Sequence, residues 1–496
     1  MKNNLILSFL LSSAALLSST AMAQSGVIVN GIHFMVSPRS RHTATLLQDG
    51  RVLIAGGENC CSGSVPPLAS TEIYDPATGV FTAAANMTTA RSGHTATLLP
   101  DGRVLIVGGD SSNGTAEIYD PSTGKFTATG TLLTAQTGFN ATLLANGKVL
   151  ITGGVDAEVF DPSTGKFTAA GSYVGSLTGA SADNVSTSTL LPDGTVLFAR
   201  EPAAQIYNPA TATFTLSGSM SVIFLGNPVV PDYVDGRTAT LLLNGTVLVA
   251  GGANEDLARF NSTELYNPAS GVFATAAFML RPREDHTATL LPDGTVLMAG
   301  GESQNCDGNS CFFSGSESTM ELYDPVKGAF SSAGYMMYPR VFHTATLLNT
   351  GDVLITGGEA WGGFDLDYGS LAETELYHPV SASSPPALFS LVGNGQGQGA
   401  IWHAATGQAA TSQTPAMAGE ILSMYVSGLA EGGTIPPQVA IGGQLAEILY
   451  FGDAPGYPGY FQVNFRVPDG TSAGVAVPVH LTYLGRPSNE VTIAVQ

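Results

Sequence analysis

Charged side chains are scarce in this 496-residue chain, at 11% of all residues, and basic side chains are scarcer than acidic ones. There are 18 Lys and Arg residues against 39 Asp and Glu residues, which gives a formal net charge of −21 at pH 7. The basic residues form no cluster along the chain. Nucleic acids and anionic membrane surfaces require such a basic patch, so we expect neither of them as a partner.

Long apolar runs are missing beyond the first two dozen residues, so we expect no membrane span. The start of the chain differs from the rest. Lys2 precedes an apolar run that ends in the short side chains of Ala21 and Ala23, an order typical of a signal peptide at residues 1–23. Cleavage after Ala23 would release a secreted or periplasmic protein.

Cysteine is limited to four residues, which in an exported chain favour disulfide bonds over thiol chemistry. Cys306 and Cys311 flank the short segment DGNS, and we expect a local disulfide between them. Cys60 and Cys61 are adjacent in the sequence. Their pairing stays open, because a vicinal disulfide needs strained geometry and a cross-loop bond to the other two cysteines is the alternative.

Glycine, by contrast, is abundant at 60 residues, and much of it belongs to a repeat. Each copy has a short strand (HTATLL), an Asp-Gly or Asn-Gly turn, a strand ending in paired glycines (VLIVGG), a strand ending in Tyr-Asp-Pro, and a strand beginning with Phe. Alternating apolar residues and such turns predict a four-stranded antiparallel unit. The turn glycines of the seven copies are Gly50, Gly102, Gly147, Gly194, Gly245, Gly294 and Gly351.

This pattern resembles the kelch repeat, whose hallmarks are paired glycines and two spaced aromatic residues. The fourth copy lacks the paired glycines. The resemblance implies a seven-bladed β-propeller, because single repeats cannot bury their apolar faces and pack radially instead. The first aromatics are Tyr74, Tyr119, Phe160, Tyr207, Tyr266, Tyr323 and Tyr377, and the second are Phe81, Phe126, Phe167, Phe214, Phe273 and Phe330.

The seventh copy has Ser384 where its second aromatic residue is expected. The N-terminal segment at about 26–35 carries the missing pattern, with Val29 at the offset from the first copy's histidine that Phe81 has from the second's. We therefore expect this segment to form the fourth strand of blade seven. Ring closure by the two chain ends would leave no open sheet edge.

The composition changes after the repeats, which gives a propeller at 24–380, a linker at 381–387 and a second domain at 388–496. Short strands between Gly and Pro turns in the last segment predict an immunoglobulin-like β-sandwich. The stretch IGGQLAEILYFGDAPGYPGYFQVNFRVPDG resembles a C-terminal module of secreted soil-bacterial proteins. The predicted fold class is therefore all-β, a seven-bladed kelch propeller followed by an immunoglobulin-like sandwich.

Polar residues open the first strand of every blade and would ring one end of the central channel. Two interpretations are open for the histidines among them. They either bind a ligand at the channel mouth, together with Arg237, or form hydrogen bonds between blades. The same two interpretations are open for the arginines three residues earlier. The histidines are His42, His94, His286 and His343, the arginines are Arg39, Arg91, Arg283 and Arg340, and the other blades have Asn140, Ser186 and Arg237 in the histidine position.

A propeller followed by an immunoglobulin-like domain also resembles galactose oxidase, which holds copper with two tyrosines and two histidines, one tyrosine being cross-linked to cysteine. Here His343 matches a ligand, but Phe342 and Gly93 stand where the tyrosines are expected. No first strand contains a cysteine, and no segment around His403 or His480 matches the fourth ligand. We therefore expect no cofactor, with copper disfavoured.

The loops between the second and third strands are long in blades five, six, seven and one, which are neighbours in a closed ring. Long ordered loops on a rigid scaffold often carry function. Aromatic faces beside carboxylates suit sugars, although these side chains could instead pack within their own loops. The segment DLDYG is a candidate for calcium but lacks the EF-hand pattern. The predicted ligand-binding residues here are Trp361, Phe364, Asp365, Asp367 and Tyr368.

These features favour an exported binding or adhesion protein that recognises extracellular glycan or protein through the long-loop face. They favour a binding module over an enzyme. The alternative is a diverged galactose oxidase-like, carbohydrate-active enzyme that uses the channel-mouth histidines without the full copper-radical site. The sequence does not set the oligomeric state.

Overall fold

Every regular element in the described part of the chain is a β-strand, so no helix there is long and apolar enough to cross a membrane. The coordinates are a computed structural model. It describes residues 27–59, 66–110, 114–135, 138, 140–153, 156–174, 187–199, 203–220, 222–224, 227–229, 234–254, 258–306, 311–360, 369–379, 386–429, 435–454, 460–484 and 486–496.

Seven four-stranded antiparallel sheets, the blades, make up the larger part of the molecule. The chain begins with β1 (Val27–Phe34). Blade one contains β2 (Thr43–Leu46), β3 (Val52–Ala55), β4 (Thr71–Asp75) and β5 (Val80–Ala83). Blade two contains β6 (Thr95–Leu98), β7 (Val104–Val107), β8 (Thr115–Asp120) and β9 (Lys125–Thr131). Blade three contains β10 (Asn140–Leu143), β11 (Val149–Thr152), β12 (Glu158–Asp161) and β13 (Lys166–Ala169).

Blades four and five are separated by a small hairpin. Blade four contains β14 (Thr187–Leu190), β15 (Val196–Ala199), β16 (Gln205–Asn208) and β17 (Thr213–Leu216), and the hairpin is formed by β18 (Val222–Phe224) and β19 (Asn227–Val229). Blade five contains β20 (Asp235–Leu241), β21 (Val247–Ala253), β22 (Thr263–Asn267) and β23 (Val272–Thr275).

Blades six and seven each carry a hairpin between their second and third strands. Blade six contains β24 (Thr287–Leu290), β25 (Val296–Ala299), the hairpin β26 (Glu302–Cys306) and β27 (Cys311–Ser316), then β28 (Thr319–Asp324) and β29 (Ala329–Tyr335). Blade seven contains β30 (Thr344–Leu347), β31 (Val353–Thr356), the hairpin β32 (Glu359–Ala360) and β33 (Gly369–Ser370), then β34 (Glu373–His378).

The first strands of the blades contact one another in succession, and β30 contacts β2, which closes the ring. Seven apolar clusters fill the seams, and each cluster is shared by two neighbouring blades. The second strands are buried along their whole length because a neighbouring blade covers each face. This arrangement is a β-propeller, as the repeats predict.

Aromatic pairs hold the third strand of a blade to the fourth. Tyr74 and Phe81 are opposite in register, with ring centroids 4.7 Å apart, and the spacing in the other blades that have such a pair is 4.8 to 5.0 Å. In blade four, Ala199 pairs with Thr187 as Ala55 pairs with Thr43 in blade one, so the glycine positions of that copy fall on residues 200 and 201, outside the described residues.

The fourth strand of blade seven is β1, which pairs antiparallel with β34. The residue opposite Tyr377 is Ile28, whereas equal offsets in the sequence pointed to Val29. The one-residue difference arises because the register shifts between Val29 and His33, and equal spacing along the chain then no longer means equal position in the sheet. Ile28 packs into the apolar cluster shared by blades six and seven.

The C-terminal part is a sandwich of two sheets around one apolar core. The first sheet contains β35 (Ala387–Leu388), β36 (Ile401–His403), β37 (Ile421–Ser427), β40 (Glu447–Asp453) and β41 (Phe461–Arg466). The second contains β38 (Gln438–Ile441), β39 (Gln444–Leu445), β42 (Gly474–Tyr483), β43 (Arg486–Pro487) and β44 (Val491–Val495).

The sandwich packs on the propeller face that bears the Asp-Gly and Asn-Gly turns. Arg486 donates a hydrogen bond to the carbonyl of Asn349, and Gly443 lies so close to Asp101 that an added Cβ would be 2.8 Å from its side chain. A cavity of about 360 Å³ remains between first-strand residues of the channel and the strands β38 and β42. The channel is thus covered at its turn end, and the opposite end, the mouth, carries the loops.

Candidate functional site at the channel mouth

The predicted ligand-binding residues of the long blade-seven loop lie at 361–368, outside the described residues. They are Trp361, Phe364, Asp365, Asp367 and Tyr368, and they stay predictions. Cys60 and Cys61, at 60–65, also lie outside the described part. Cys306 and Cys311 stand directly opposite each other at the end of the β26–β27 hairpin.

The four predicted histidines are buried between blades. Each imidazole Nε2 is hydrogen bonded, at 2.9 to 3.1 Å, to a threonine hydroxyl on the first strand of the preceding blade. The pairs are His42–Thr344, His94–Thr43, His286–Thr238 and His343–Thr287. These contacts correspond to the inter-blade interpretation of the histidines, and their ligand-binding role stays a prediction.

Burial also fixes the charge of these imidazoles. It lowers the pKa of His94 and of His343 to about 3, with a further contribution from the nearby guanidinium groups of Arg91 and Arg340. Burial likewise holds the pKa of His42 and His286 well below the usual value for histidine. All four are therefore neutral at physiological pH.

The arginines three residues before the histidines join neighbouring blades. Arg340 is buried, donates to the carbonyl of Gly357 at 2.8 Å and forms an ion pair with Glu375 at 2.6 Å in blade seven. Its own carbonyl accepts the amide of Gly301 in blade six. The equivalent ion pairs are Arg39–Glu72, Arg91–Glu117 and Arg283–Glu321.

The remaining blades place different groups in the histidine position. Arg237 is buried, and its guanidinium donates to the Met220 sulfur at 3.1 Å. The prediction that Asn140 takes the histidine position in blade three is wrong, because Asn140 is opposite Thr152 as Thr43 is opposite Ala55 in blade one. The histidine position of blade three is therefore residue 139, which lies outside the described residues, as does Ser186. Arg237 is thus brought near the mouth of the channel by β20, beside the neighbouring His286 of blade six.

Residues with a left-handed backbone conformation form a ring around the mouth, which the sequence pattern does not predict. The residue immediately before the histidine position has a positive φ in each of the six blades in which it is described. These residues are Arg41, Gly93, Gly138, Gly236, Asp285 and Phe342. Backbone hydrogen bonds link successive members, since Arg41 donates to Phe342, Gly93 to Arg41, and Asp285 to Gly236.

Three members of this ring carry side chains despite a conformation that favours glycine. A positive φ costs a non-glycine residue on the order of 1–2 kcal/mol, and such strain concentrates at functional sites. Arg41, Asp285 and Phe342 have φ of 52°, 51° and 54°, and they belong to the consecutive blades one, six and seven. The only sequence signal was the variation Gly, Arg, Asp and Phe at one otherwise regular repeat position.

The Arg41 guanidinium lies over the Phe342 ring, with its carbon 3.5 Å from the ring centroid. Glu58 holds the guanidinium from the side at 3.2 Å, and Ser92 donates to the other oxygen of Glu58 at 3.1 Å. The side chain of Arg41 is nevertheless 42% exposed. A stacked and laterally fixed guanidinium offers oriented N–H donors to a molecule at the mouth.

Next to this pair lies an acidic recess centred on a buried arginine. Arg259 contacts Glu284 and Glu302, each at 2.6 Å. Two carboxylates thus share one guanidinium, and Asp235 and Asp285 add two more acidic groups. Burial raises the pKa of Glu284 to about 7; the Arg259 guanidinium opposes this shift, and the acidic groups of Asp285, Glu302 and Asp235 add to it.

Asp285 combines strain with an altered acidity. Burial, followed by repulsion from Asp235, raises the pKa of its carboxyl to about 7. Asp235 accepts the amide of Gly236 at 2.8 Å, whereas no hydrogen bond or ion pair to the Asp285 carboxyl occurs among the residues that the structure describes. A partly exposed carboxyl with such a pKa can take up and release a proton near neutral pH.

Comparison with known proteins supports this architecture. No family model matches the chain, and no curated protein matches it either. A solved structure of a fungal alcohol oxidase of the AA5 family, in complex with copper, matches over 95% of this chain and 100% of that chain, with a TM-score of 0.63. Its fold is that of a galactose oxidase-like propeller. The sequence identity is 16%, so the likeness establishes the fold alone.

This neighbour corrects the expectation that the protein uses no cofactor and that copper is disfavoured, because a protein with the same architecture binds copper. The ligand set itself is not assembled by the described side chains. His343 is bound to Thr287 between blades, Phe342 lies under a guanidinium, and no group of three His, Cys, Asp or Glu residues that could hold a metal occurs within the described ranges. We therefore assign no metal ligand among them.

Proposed function

We propose that this protein is a galactose oxidase-like, carbohydrate-active enzyme whose site lies at the channel mouth, over Arg41, Asp285 and Phe342. The observation that supports it best is the placement of these three strained side chains at one position of consecutive blades. The fold of an alcohol oxidase along nearly the whole chain favours this enzyme over a pure binding module.

The groups at the mouth suit a substrate with hydroxyl groups. The Asp285 carboxylate can accept a hydrogen bond from a substrate hydroxyl group, and the stacked Arg41 can donate hydrogen bonds to a substrate oxygen. The buried Arg–Glu and His–Thr contacts behind them keep the three blades in fixed relative positions. Such a rigid support is what a pre-organised site requires.

The direct test measures turnover and metal content on the same sample. The mature protein would be incubated with neutral sugars and simple alcohols, with and without added copper, while hydrogen peroxide and carbonyl products are followed. We expect product that depends on the folded chain and is lost in Arg41→Ala, while Arg103→Ala, on the turn face, retains activity. No turnover on any substrate under either condition would reject the enzyme.

A glycan- or protein-binding module without catalysis is the second candidate. It is supported by the packing of the sandwich on the turn face, which leaves the loop-bearing face of blades five, six, seven and one for a partner. A glycan array would show specific binding that Trp361→Ala and Asp365→Ala weaken, whereas turnover assays on the bound glycans would stay at background.

The further predictions concern maturation and the C-terminal domain. We infer export after cleavage behind Ala23, an immunoglobulin-like relationship for the sandwich, and a disulfide between Cys306 and Cys311, which is supported by their directly opposed backbone positions. N-terminal sequencing and non-reducing peptide mapping of protein from the periplasm or medium test the first and last. An intact N-terminus or free thiols at both cysteines would contradict them.

A further inference from the structure

Asp285 occupies a distinctive place among the carboxyl groups of the mouth. Arg259 forms an ion pair with both Glu284 and Glu302, and Asp235 accepts a hydrogen bond from a backbone amide. In the part of the chain that the structure describes, the Asp285 carboxyl is therefore the one of these four without an assigned hydrogen-bond donor. The Asp285 amide donates a hydrogen bond to the Gly236 carbonyl at 2.8 Å, and this bond holds the left-handed backbone that fixes the position of the Asp285 Cβ.

The charge of the recess restricts what can bind beside Asp285. Charged groups face it from several elements: Asp235 from β20, Glu302 from β26, Arg259 from the segment between β21 and β22, and Arg41 from the segment before β2. Glu284 adds a further carboxyl from its own segment. Acidic groups outnumber basic ones, so an anionic ligand would be repelled, and the overall net charge of −21 acts in the same direction.

From this geometry we propose that Asp285 binds a neutral sugar or polyol by accepting a hydrogen bond from one of its hydroxyl groups, while Arg41, held on Phe342, orients the same substrate. The inference rests on the proposed function and names the groups and the substrate charge that the site requires. The proton stays on the substrate oxygen and is shared in the hydrogen bond to an Asp285 carboxylate oxygen, so this interaction breaks no covalent bond.

The test combines binding with turnover in the full mature chain. Calorimetric titration would use a panel of neutral monosaccharides and their uronate counterparts between pH 5.5 and 8.5. We expect neutral sugars to bind more tightly than uronates, with affinity increasing several-fold as the pH rises through about 7, where the Asp285 carboxylate forms. Asp285→Asn should bind about tenfold more weakly and with a smaller pH dependence, because Glu284, whose pKa is also raised to about 7 by burial, still titrates in this range.

Controls keep the result interpretable. Asparagine tolerates a positive φ, so Asp285→Asn should keep the backbone, which a melting curve checks. Asp293→Asn, in a turn on the opposite face, should retain the wild-type binding profile. Arg41→Lys should bind more weakly because a lysine cannot reproduce the stacked, fixed guanidinium.

The outcomes separate this inference from the enzyme proposal. Asp285-dependent binding without turnover would support the placement of the substrate and reject catalysis. Turnover that is unchanged in rate and pH profile in Asp285→Asn would leave the enzyme and overturn the role of Asp285. Tighter binding of uronates, or no binding of any neutral sugar, would also overturn the inference.

Discussion

The seams between blades are built in two ways, and the difference divides the ring in half. At the seams five–six, six–seven, seven–one and one–two, a histidine binds a threonine of the preceding blade and an arginine forms a buried ion pair. We call these the ionic seams. The described residues of blades three, four and five contain no such ion pair between the arginine position and the third strand.

The described residues of the other blades make different contacts at their seams. Before blade four, Tyr173 stacks on Phe198 at 4.9 Å, and its hydroxyl accepts the amide of Gly153. In blade five, the arginine position holds Val234, which packs against Phe260. Blade four has Gln205 where other blades have a buried glutamate.

The ionic seams coincide with the strained part of the mouth. Arg41, Asp285 and Phe342 all belong to blades bounded by ionic seams. Buried ion pairs are weak evidence for stability, but they fix a unique geometry when every partner is satisfied. We infer that the ionic seams support a left-handed backbone at non-glycine residues, whereas blades three and five have Gly138 and Gly236 at this position.

The largest expected effect comes from removing the strand that closes the ring. Deleting residues 27–34 would leave β34 with a free edge at an ionic seam and expose the cluster that Ile28 covers. We expect loss of cooperative unfolding or aggregation, measured by thermal melting and light scattering. A matched chain that begins at Val27 should melt like the mature protein, and an unchanged melting temperature in the deletion would reject this role of β1.

A buried ion pair should be the next most sensitive point. Arg340→Met leaves the Glu375 carboxylate buried without its partner, and we expect a loss of about 3–5 kcal/mol in the free energy of unfolding. The exposed pair of Arg51 with Asp49 provides the control, since Arg51→Ala should cost less than about 1 kcal/mol. Chemical denaturation measures both, and the double variant Arg340→Met/Glu375→Gln should recover part of the loss. Equal effects at both arginines would remove the distinction between ionic seam and surface.

Paired glycines should be needed most where an ionic seam is tightly packed. A Cβ on Gly300 would lie 2.5 Å from the Arg340 carbonyl oxygen and 2.7 Å from the His343 ring, whereas a Cβ on Gly124 would meet nothing within 4 Å. Both glycines have a positive φ, so alanine at Gly124 isolates the conformational cost of about 1–2 kcal/mol. We expect Gly300→Ala to destabilise the protein by about 1–3 kcal/mol more than Gly124→Ala, because overpacking adds to that cost. Similar unfolding free energies would contradict the packing argument.

Acid should weaken the ionic seams through their histidines. The pKa of His343 is lowered to about 3, so the unfolded chain binds a proton below about pH 6.5 while the folded chain does not. The contribution of the neutral His343 to the free energy of unfolding is fully present above pH 6.5. It is lost as the pH falls toward 3, at about 1.4 kcal/mol per pH unit. In His343→Gln, unfolding free energies between pH 7 and 5 should fall about 2 kcal/mol less than in the wild type. Parallel curves for both proteins would show that His343 does not titrate in this way.

Much of the fold was predictable because it repeats. The spacing of turn glycines and aromatic residues predicted the blades, and pairs such as Tyr74 and Phe81 lie opposite each other as expected. The exact partner of Tyr377 was missed because a bulge in β1 alters the register without altering the residue types. Local pattern therefore predicts the elements, but not an irregularity inside one of them.

The candidate site was harder to predict because its members are marked by conformation rather than by type. Arg41, Asp285 and Phe342 share a repeat position with glycines, and nothing in their identity shows that they share a left-handed backbone. The Arg259 network depends on the contacts of Arg259 with Glu284 and Glu302, which lie far from it along the chain. The sequence pattern pointed to the histidines instead, because they recur at a regular repeat position.

The pairing of β1 with β34 also has a consequence for how the protein is made. Val27 leaves the ribosome early in synthesis, and its partner His378 follows only when nearly all of the seven repeats have been synthesised. At about 5–20 residues per second, the first strand waits for tens of seconds with its backbone unpaired. During that interval blade one has no neighbouring blade on one side. We therefore expect the early chain to need protection from pairing with other strands until blade seven has been synthesised.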